Sequence, residues 1–388
     1  MSRSPSLVLG IDVGNSKIKF CSFDSSTGEV RQSRRHLPYT DRQRYRRHAD
    51  FEAGLPGELA AFLSPSDAPP AVAVAVISSG YAYPRYTEGV VHTMGVLAGA
   101  LPATRVFALS GTGEAIPADV IRCGDPAVVG PIVFSNGMGA VHLARRLPAL
   151  GNPATGLVLD TGGSTTAITP IVNGMVDPAA CARPAQHLDH RLQHGKLTWI
   201  GAQTTPLEAL CHEIQIGARH YPVIPRGVTS DNLSVLFNLL PEGRGEKLGL
   251  FSLVPNRALA LRAVADAINL DFEMATEDEI LQVGKTFLDR AIDVLAAGIE
   301  RALATAPSEV RLRAVSFGLG ARGYAVPALL RAGVPAHGIV LGEEVLTPEI
   351  SDMASCFGAA LLAAELHLRR RLTADIFGVH PGPPHADS

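Results

Sequence analysis

Two stretches of this chain share one pattern of apolar and polar positions. In each, an apolar run ends in Asp-x-Gly, small polar residues follow, and a second apolar run begins; the copies cover residues 7–20 and 156–170. This pattern predicts a β-hairpin with a carboxylate at the end of its buried strand and a turn rich in Gly, Ser, Thr and Asn. We therefore expect two similar hairpins that lie far apart in the sequence.

Between and after the hairpins, the pattern alternates between strand and helix. An unbroken apolar run at 71–77 predicts a buried parallel strand. Thr276 and Glu279 form a Thr-x-x-Glu capping box, which predicts the start of a long helix at about 277–304. The other predicted elements are helices at 50–63, 87–97, 136–147, 231–240 and 352–371, one helix starting at 206, and strands at 105–109, 132–134 and 311–317.

The alternation of strands and helices predicts an α/β fold. A chain of 388 residues exceeds the usual size of one hydrophobic core, so two lobes around a central cleft are expected. Since each hairpin opens one lobe, the predicted domains are 1–150 and 151–376, the second with a helical insertion at about 180–310. The tail at 377–388 contains three prolines and is predicted to be disordered.

Composition narrows the classes of function. Apolar residues make up 46% of the chain and charged residues 18%, the profile of a compact soluble protein. The net charge of −3 gives no reason to expect nucleic acid as a partner, and no apolar stretch predicts a membrane span or a signal sequence. Five scattered cysteines without CxxC spacing predict neither a disulfide framework nor a zinc site, which favours a cytoplasmic location.

The residue types in the two turns suit phosphate. Glycines let backbone N–H groups point at an anion, and hydroxyls and Lys17 add donors. Asp12 and Asp160 suit Mg²⁺ or a polarised water, and with Lys17 they are the candidate catalytic residues. The candidate diphosphate- or nucleotide-binding residues of the turns are Gly14, Asn15, Ser16, Gly162, Gly163, Ser164, Thr165 and Thr166. The plainer alternatives are that the carboxylates cap the turns and that Lys17 points to water.

Four other residues are candidates for contacts with a substrate. Asn136 starts a predicted helix, so it either caps that helix or contacts substrate. Tyr81 follows the strand at 71–77 and lines either an aromatic acceptor pocket or a surface turn. Asp189 and Arg191 either pair with each other or serve the site. The arginine-rich stretch 31–48 is either a solvated face or a basic rim that attracts an anionic substrate.

Three stretches in this order resemble the acetate kinase, sugar kinase, heat-shock chaperone and actin superfamily. They are the turn after Asp12, the turn after Asp160, and the Gly318-Leu319-Gly320 segment that follows a late strand. The resemblance implies two ribonuclease-H-like lobes that close on a nucleotide. It also implies that Gly318 and Gly320 bind the diphosphate or nucleotide.

Within that superfamily, the chain is similar to the hydantoinase/oxoprolinase-like family of tetrahydromethanopterin-linked one-carbon metabolism. The stretches that carry this similarity are 10–17, 135–136, 158–166, 188–192, 198–201, 204–206, 229–231 and 318–320. The resemblance implies a transferase that condenses a furanylmethyl diphosphate with a phenolic, tyramine-type amine in methanofuran or methylofuran synthesis. Mg²⁺ is the implied cofactor, ATP is not required, and a homodimer or a biosynthetic complex is left open.

Two alternatives to this transferase remain. One is an ATP-dependent enzyme of the same fold, either a small-molecule kinase or a hydantoinase/oxoprolinase-type enzyme. The other is an inactive nucleotide-binding paralogue, which is favoured by two departures from the family pattern. The first turn is about two residues shorter than usual, and Thr204 stands where the family tends to have an arginine.

Overall fold

The computed structural model describes residues 6–14, 17–36, 48–63, 68–77, 85–176, 183–243, 255–273 and 275–373. Within these ranges the strands form two large sheets and one two-stranded ribbon. The strands are β1 Leu7–Val13, β2 Lys17–Asp24, β3 Val30–His36, β4 Val72–Ile77, β5 Arg105–Leu109, β6 Ala115–Pro117, β7 Gly156–Thr161, β8 Thr166–Val172, β9 Met175–Val176, β10 Leu197–Thr198, β11 Glu213–Ile216, β12 Arg219–Pro222, β13 Ala314–Phe317 and β14 Ile339–Leu341.

The first sheet is built around the first hairpin. Its order is β3-β2-β1-β4-β5-β6, with β1, β2 and β3 antiparallel and β1, β4 and β5 parallel. All six residues of β4 are buried, as the unbroken apolar run predicts. Along β1, Leu9, Ile11 and Val13 join one hydrophobic core, while Val8 joins another. Because side chains alternate along a strand, Asp12 lies on the same face as Val8.

The second sheet repeats this arrangement. Its order is β10-β8-β7-β13-β14, in which β7 and β8 form the antiparallel hairpin and β13 and β14 continue in parallel. In both sheets the hairpin's first strand therefore lies between its own second strand and a later parallel strand. This repeat confirms the predicted fold class, an α/β protein of two ribonuclease-H-like lobes.

Helices cover both sheets. The longest, α9, carries the predicted capping box: Glu279 N donates to Thr276 Oγ1 (3.2 Å) and Thr276 N donates to Glu279 Oε2 (3.0 Å). The α-helices are α1 His48–Phe62, α2 Tyr86–Ala100, α3 Ala118–Ile121, α4 Pro126–Val129, α5 Gly137–Ala144, α6 His187–Gln193, α7 Ser230–Leu236, α8 Arg257–Asp266, α9 Glu277–Ala304, α10 Val326–Arg331, α11 Gly342–Val345, α12 Pro348–Asp352 and α13 Ala354–Leu368.

Helix α13 crosses from the second lobe to the first. Although it follows the second sheet in sequence, it packs on β1 and β4 of the first sheet and on α5. Glycines make these approaches close: a Cβ on Gly10 would lie 2.3 Å from the Cys356 carbonyl oxygen, and one on Gly358 would collide with the carbonyl of Gly139. Since α5 also packs on β7, the two helices join the lobes.

Three predicted elements differ in the structure. In place of the expected strand at 132–134 there is a 3₁₀ turn, Gly130–Ile132, which is followed by Val133 and by Phe134 with φ of 55°. Pro131 has no N–H for a strand ladder, which explains the loss of the strand. The expected helix from 206 is a single 3₁₀ turn, Leu207–Ala209, and the expected helix at 352–371 is interrupted at Met353. The predicted disordered tail lies outside the described residues.

No single helix among the described residues has both the length and the apolar character needed to cross a membrane. One bent pair of helical segments, Pro126–Ile132 with Gly137–Ala144, meets that test by length and composition.

Candidate functional site

The two hairpin turns have the same hydrogen-bond geometry. Gly14 N donates to the Lys17 carbonyl at 3.0 Å, and Gly162 N donates to the Thr165 carbonyl at 3.0 Å. Asp12 and Asp160 each stand two residues before the glycine. The sequence repeat is therefore also a structural repeat.

Both carboxylates line one cavity of about 70 Å³ between the lobes. From the first hairpin Gly14 and Lys17 also line it, and Asn136 and Gly318 add two more predicted residues. The second turn contributes Gly162, Gly163, Ser164 and Thr165. The structure thus brings together most of the predicted phosphate-binding residues that it describes.

The loop that follows β10 donates two hydrogen bonds to carbonyl groups of the second turn. Ala202 N donates to the Gly162 carbonyl (3.0 Å), and Gln203 N donates to the Gly163 carbonyl (2.8 Å). The backbone N–H groups of Gly163 and Ser164 have no acceptor among the described residues. Successive N–H groups of this kind form a concave site for an anion.

Thr204 also contacts this turn. Its hydroxyl donates to Ser164 Oγ at 2.8 Å, and its side chain is exposed. The position at which the resemblance places an arginine therefore adjoins the second turn.

Other predicted residues lie away from the cavity lining. Gly320 N donates to the Thr161 carbonyl (2.9 Å) behind the second turn, and Thr166 Oγ1 donates to the Ile200 carbonyl (2.7 Å). Asp189 accepts a bond from Gln193 (2.9 Å) on α6. Asn15, Ser16 and Tyr81 lie outside the described residues.

Arg191 is buried instead of lining the cavity. Its guanidinium donates to the carbonyls of Phe134 and Lys196, and burial lowers its pKa to about 10. Phe134 has a φ of 55°, in the left-handed region. The bond from Arg191 therefore stabilises a strained turn that lies two residues before Asn136.

Lys19 is a cavity residue that the turn pattern did not reveal. It pairs with Asp12 across the hairpin, and its Nζ lies 3.0 Å from Asp12 Oδ2. Burial acts to lower the pKa of Lys19, but Asp12 and Asp160 outweigh it and the pKa is raised. The alternation Lys17-Ile18-Lys19-Phe20 was a usable signal, because it places both lysines on one face of β2.

Arg34 and Asp352 also line the cavity, and neither was predicted individually. Arg34 Nη2 lies 3.3 Å from Asp352 Oδ2, and both side chains are about one-third exposed. Burial, Arg34 and Lys19 together lower the pKa of Lys17. No described carboxylate lies within ion-pair distance of Lys17. Lys17 is therefore the cation that is best placed to receive an anion.

Asp160 has the environment of a proton acceptor. Burial raises the pKa of its carboxyl, although Lys19 and a 2.7 Å bond from Ser355 Oγ oppose that rise. A carboxylate whose pKa is moved toward neutrality is well suited to general base catalysis.

Oxygen atoms suited to Mg²⁺ line the same cavity. Asp12 Oδ1 and Asn136 Oδ1 are buried and have no hydrogen-bond partner in the described structure. Asn136 is at the N-cap position of α5, yet its side chain makes no capping bond. The described residues hold no cluster of three or more His, Cys, Asp or Glu side chains for a metal. Mg²⁺ commonly binds through one or two carboxylates plus waters and phosphates, so these oxygens fit it.

The sheet order and the paired turns define a two-lobed α/β protein with a site at the interlobe cleft. No family model matches the chain, and no curated protein matches it. Among solved structures, a nucleotide-free acetone carboxylase described as ATP-dependent is 11% identical with a TM-score of 0.49; the alignment covers 91% of this chain and 70% of that one.

Two further structures are similar over most of their length. The ethanolamine utilization protein EutJ from Carboxydothermus hydrogenoformans is 14% identical, with a TM-score of 0.43 and coverage of 92% of this chain and 90% of that one. A putative N-acetylmannosamine kinase from Listeria monocytogenes is 12% identical, with a TM-score of 0.40 and coverage of 94% and 100%.

Proposed function

We propose that this protein is a Mg²⁺-dependent enzyme that binds ATP through its polyphosphate and acts on a small molecule, as a kinase or a hydantoinase/oxoprolinase-type enzyme. The observation that carries this proposal is the shared cavity of the two equivalent turns. There Asp12 and Asp160 face cations and unbonded N–H groups of Gly163 and Ser164.

The charge balance of the cavity supports a metal requirement. Its lining has three cations, Lys17, Lys19 and Arg34, and three carboxylates, Asp12, Asp160 and Asp352. A polyphosphate without Mg²⁺ therefore finds no net positive charge in the cavity. One Mg²⁺ shifts the balance by two positive charges, so polyphosphate and metal are expected to bind together.

In the kinase form, each residue has a defined role. Lys17 and the N–H groups of Gly163 and Ser164 hold the phosphates. Asp160 accepts the proton of an acceptor hydroxyl as its oxygen bonds to the γ-phosphorus, the bridging P–O bond breaks and ADP leaves. Mg²⁺ held by Asp12 and Asn136 would neutralise charge on the phosphates.

Calorimetry with ATP and with pyrophosphate, each with and without Mg²⁺, tests the binding. Turnover of ATP is then measured against a panel of sugars, acids and lactams. We expect Mg²⁺-dependent binding of both ligands, lost in Asp12→Ala and kept in the control Asp189→Asn, which changes an exposed carboxylate of α6. Absence of binding to either ligand in the presence of Mg²⁺ would overturn the proposal.

A second candidate is the furanylmethyl diphosphate transferase. It fits the size of the cavity as well as ATP does: about 70 Å³ is far below the roughly 300–1,000 Å³ of sites that enclose a whole ligand, so phosphoryl groups alone fit inside. In this form a phenol oxygen displaces diphosphate from the furanylmethyl carbon and its proton passes to Asp160. Diphosphate release without ATP from the two substrates would favour this candidate, and an ATP requirement would exclude it.

A further inference from the structure

A second cavity, which is more open to solvent than the first, adjoins it on the side of β3. It has a volume of about 410 Å³ and lies between β3 and α12, with Gln32, Ser33, Pro348, Glu349 and Met353 in its lining. This volume is in the range of small-molecule sites, roughly 300–1,000 Å³, whereas the inner cavity is not.

Arg34 and Asp352 line both cavities. Their ion pair, with 3.3 Å between Nη2 and Oδ2, therefore forms part of the wall between the two spaces. Strand β3 explains the position of Arg34, because Arg34 lies opposite Lys19 in the register of β2 and β3. The guanidinium thus stands beside the lysines of the phosphate cavity.

The ion pair of Arg34 and Asp352 is suited to an exchange of partners. Both side chains are about one-third exposed, and ion pairs in such positions contribute little to stability. Asp352 is also held independently of Arg34, since its carbonyl accepts a 3.5 Å bond from Lys19 Nζ. A phosphate oxygen can replace a carboxylate as the partner of a guanidinium, because arginine binds both in the same fork geometry.

We propose that a phosphate ester spans both cavities, with its phosphoryl groups in the inner cavity and its organic part in the outer one, and that Arg34 opens the wall by exchanging Asp352 for a phosphate oxygen. This inference rests on the proposed polyphosphate site. The lining of the outer cavity offers Gln32, Ser33 and Glu349 as polar contacts and includes no aromatic ring among the described residues. The organic part is therefore recognised through hydrogen bonds and not through stacking.

Two variants, which are expected to change the Kd of pyrophosphate in opposite directions, test the exchange. Removal of the guanidinium in Arg34→Ala takes away a phosphate contact, so the Kd of pyrophosphate with Mg²⁺ rises about tenfold. Asp352→Asn removes the competing carboxylate, so the same Kd falls about threefold. Arg31→Ala is the matched control, because Arg31 is on the same strand as Arg34, is paired with Glu29 and lines neither cavity. If both variants weaken pyrophosphate binding, the pair is only structural and the exchange is excluded.

A bulky side chain tests the place of the organic part. Gln32→Trp fills the outer cavity from an exposed position on β3. We expect the Kd of ATP with Mg²⁺ to rise about tenfold and that of pyrophosphate to stay within about twofold, since only ATP has a group for the outer cavity. An equal effect on both ligands, or no effect on either, would overturn the proposal. If pyrophosphate fails to bind the unmodified protein, the proposed function itself is wrong.

Discussion

At the scale of single residues, Lys19 balances part of the negative charge of the cavity. Its side chain is 22% exposed and lies beside the buried carboxylate of Asp12, and Asp12 and Asp160 both raise its pKa. Removal of one partner from a buried ion pair leaves an uncompensated charge, which is far more costly than the pair is stabilising.

Lys19→Met should therefore lower the free energy of unfolding by about 3–5 kcal/mol. Denaturant unfolding measures this change. The double variant Lys19→Met with Asp12→Asn removes both charges and should recover part of the loss. Unfolding of Lys19→Met at the wild-type denaturant concentration would contradict the buried-pair interpretation.

The pH dependence of pyrophosphate binding follows from two shifted groups. Burial raises the pKa of Asp160 above 3.8, so the negative charge that it adds beside the proposed Mg²⁺ is lost, as pH falls, at a higher pH than for an ordinary aspartate. Burial and neighbouring cations lower the pKa of Lys17 below 10.5, so its charge is lost, as pH rises, before that of an ordinary lysine. Binding should decline on both sides of neutrality in a calorimetric series.

Lys17→Arg is the control for the alkaline side of this profile. A guanidinium stays charged throughout the accessible range, so the alkaline decline should disappear while the acid decline remains. An unchanged alkaline decline would assign it to another group.

Thr204→Arg restores the residue type that the resemblance places at the second turn. Thr204 is exposed and its hydroxyl contacts Ser164, so a long side chain has room beside the unbonded N–H groups of Gly163 and Ser164. We expect pyrophosphate to bind about tenfold more tightly, with Thr204→Gln as the uncharged control. Equal affinities in the two variants would show that this position does not face the anion.

Local residues of the site were predictable from the sequence, and distant ones were not. The turn after Asp12 and the turn after Asp160 carry their glycines and carboxylates within a few positions, so each can be recognised from a short stretch of sequence. The alternation along β2 was the only local signal for Lys19, and Asp352 comes from a short helix far along the chain. The contact of Asp352 with the first hairpin arises only when the lobes pack together.

At the scale of elements, the crossing of α5 and α13 fixes how the lobes meet. Gly139 and Gly358 allow the two helix backbones to touch, and Gly10 admits α13 against β1. The hydrophobic pattern predicted the long helices α1, α2, α9 and α13 and the buried strands β1, β4 and β7, because burial of one face imposes a period of 3.6 or 2. It did not predict that α13 covers the first sheet, because an apolar face does not specify its partner.

Gly358→Ala tests this crossing. The added Cβ would collide with the Gly139 carbonyl, so the helices must separate and the free energy of unfolding should fall by about 1–3 kcal/mol. Gly95→Ala on α2 is the matched control, since nothing lies within 4 Å of its Cβ and the change should stabilise by about 0.5–1 kcal/mol. Equal effects of the two substitutions would show that the crossing tolerates extra volume.

At the scale of the whole molecule, the site exists only in the assembled pair of lobes. Asp12 and Lys19 belong to the first hairpin, while Asp160 and the Gly162–Thr165 turn belong to the second. A ligand in the cavity therefore contacts both lobes and stabilises their joint arrangement.

Thermal unfolding with pyrophosphate and Mg²⁺ tests this coupling. Ligand at one hundred times its Kd should add about 2.7 kcal/mol to the free energy of unfolding, in a single transition at higher temperature. Asp160→Ala should abolish the shift, although that residue belongs to one lobe only. Two separate transitions, of which only one responds to ligand, would show that the lobes unfold independently.

The position of α13 has a consequence for synthesis of the chain. The face of β1 that carries Gly10 is completed by a helix that is translated only after the strands of both sheets. During translation this apolar surface stays open to solvent and to other nascent chains, even though amino-terminal domains commonly fold first. We therefore expect fragments that end before α13 to aggregate or to associate with chaperones once they are released from the ribosome.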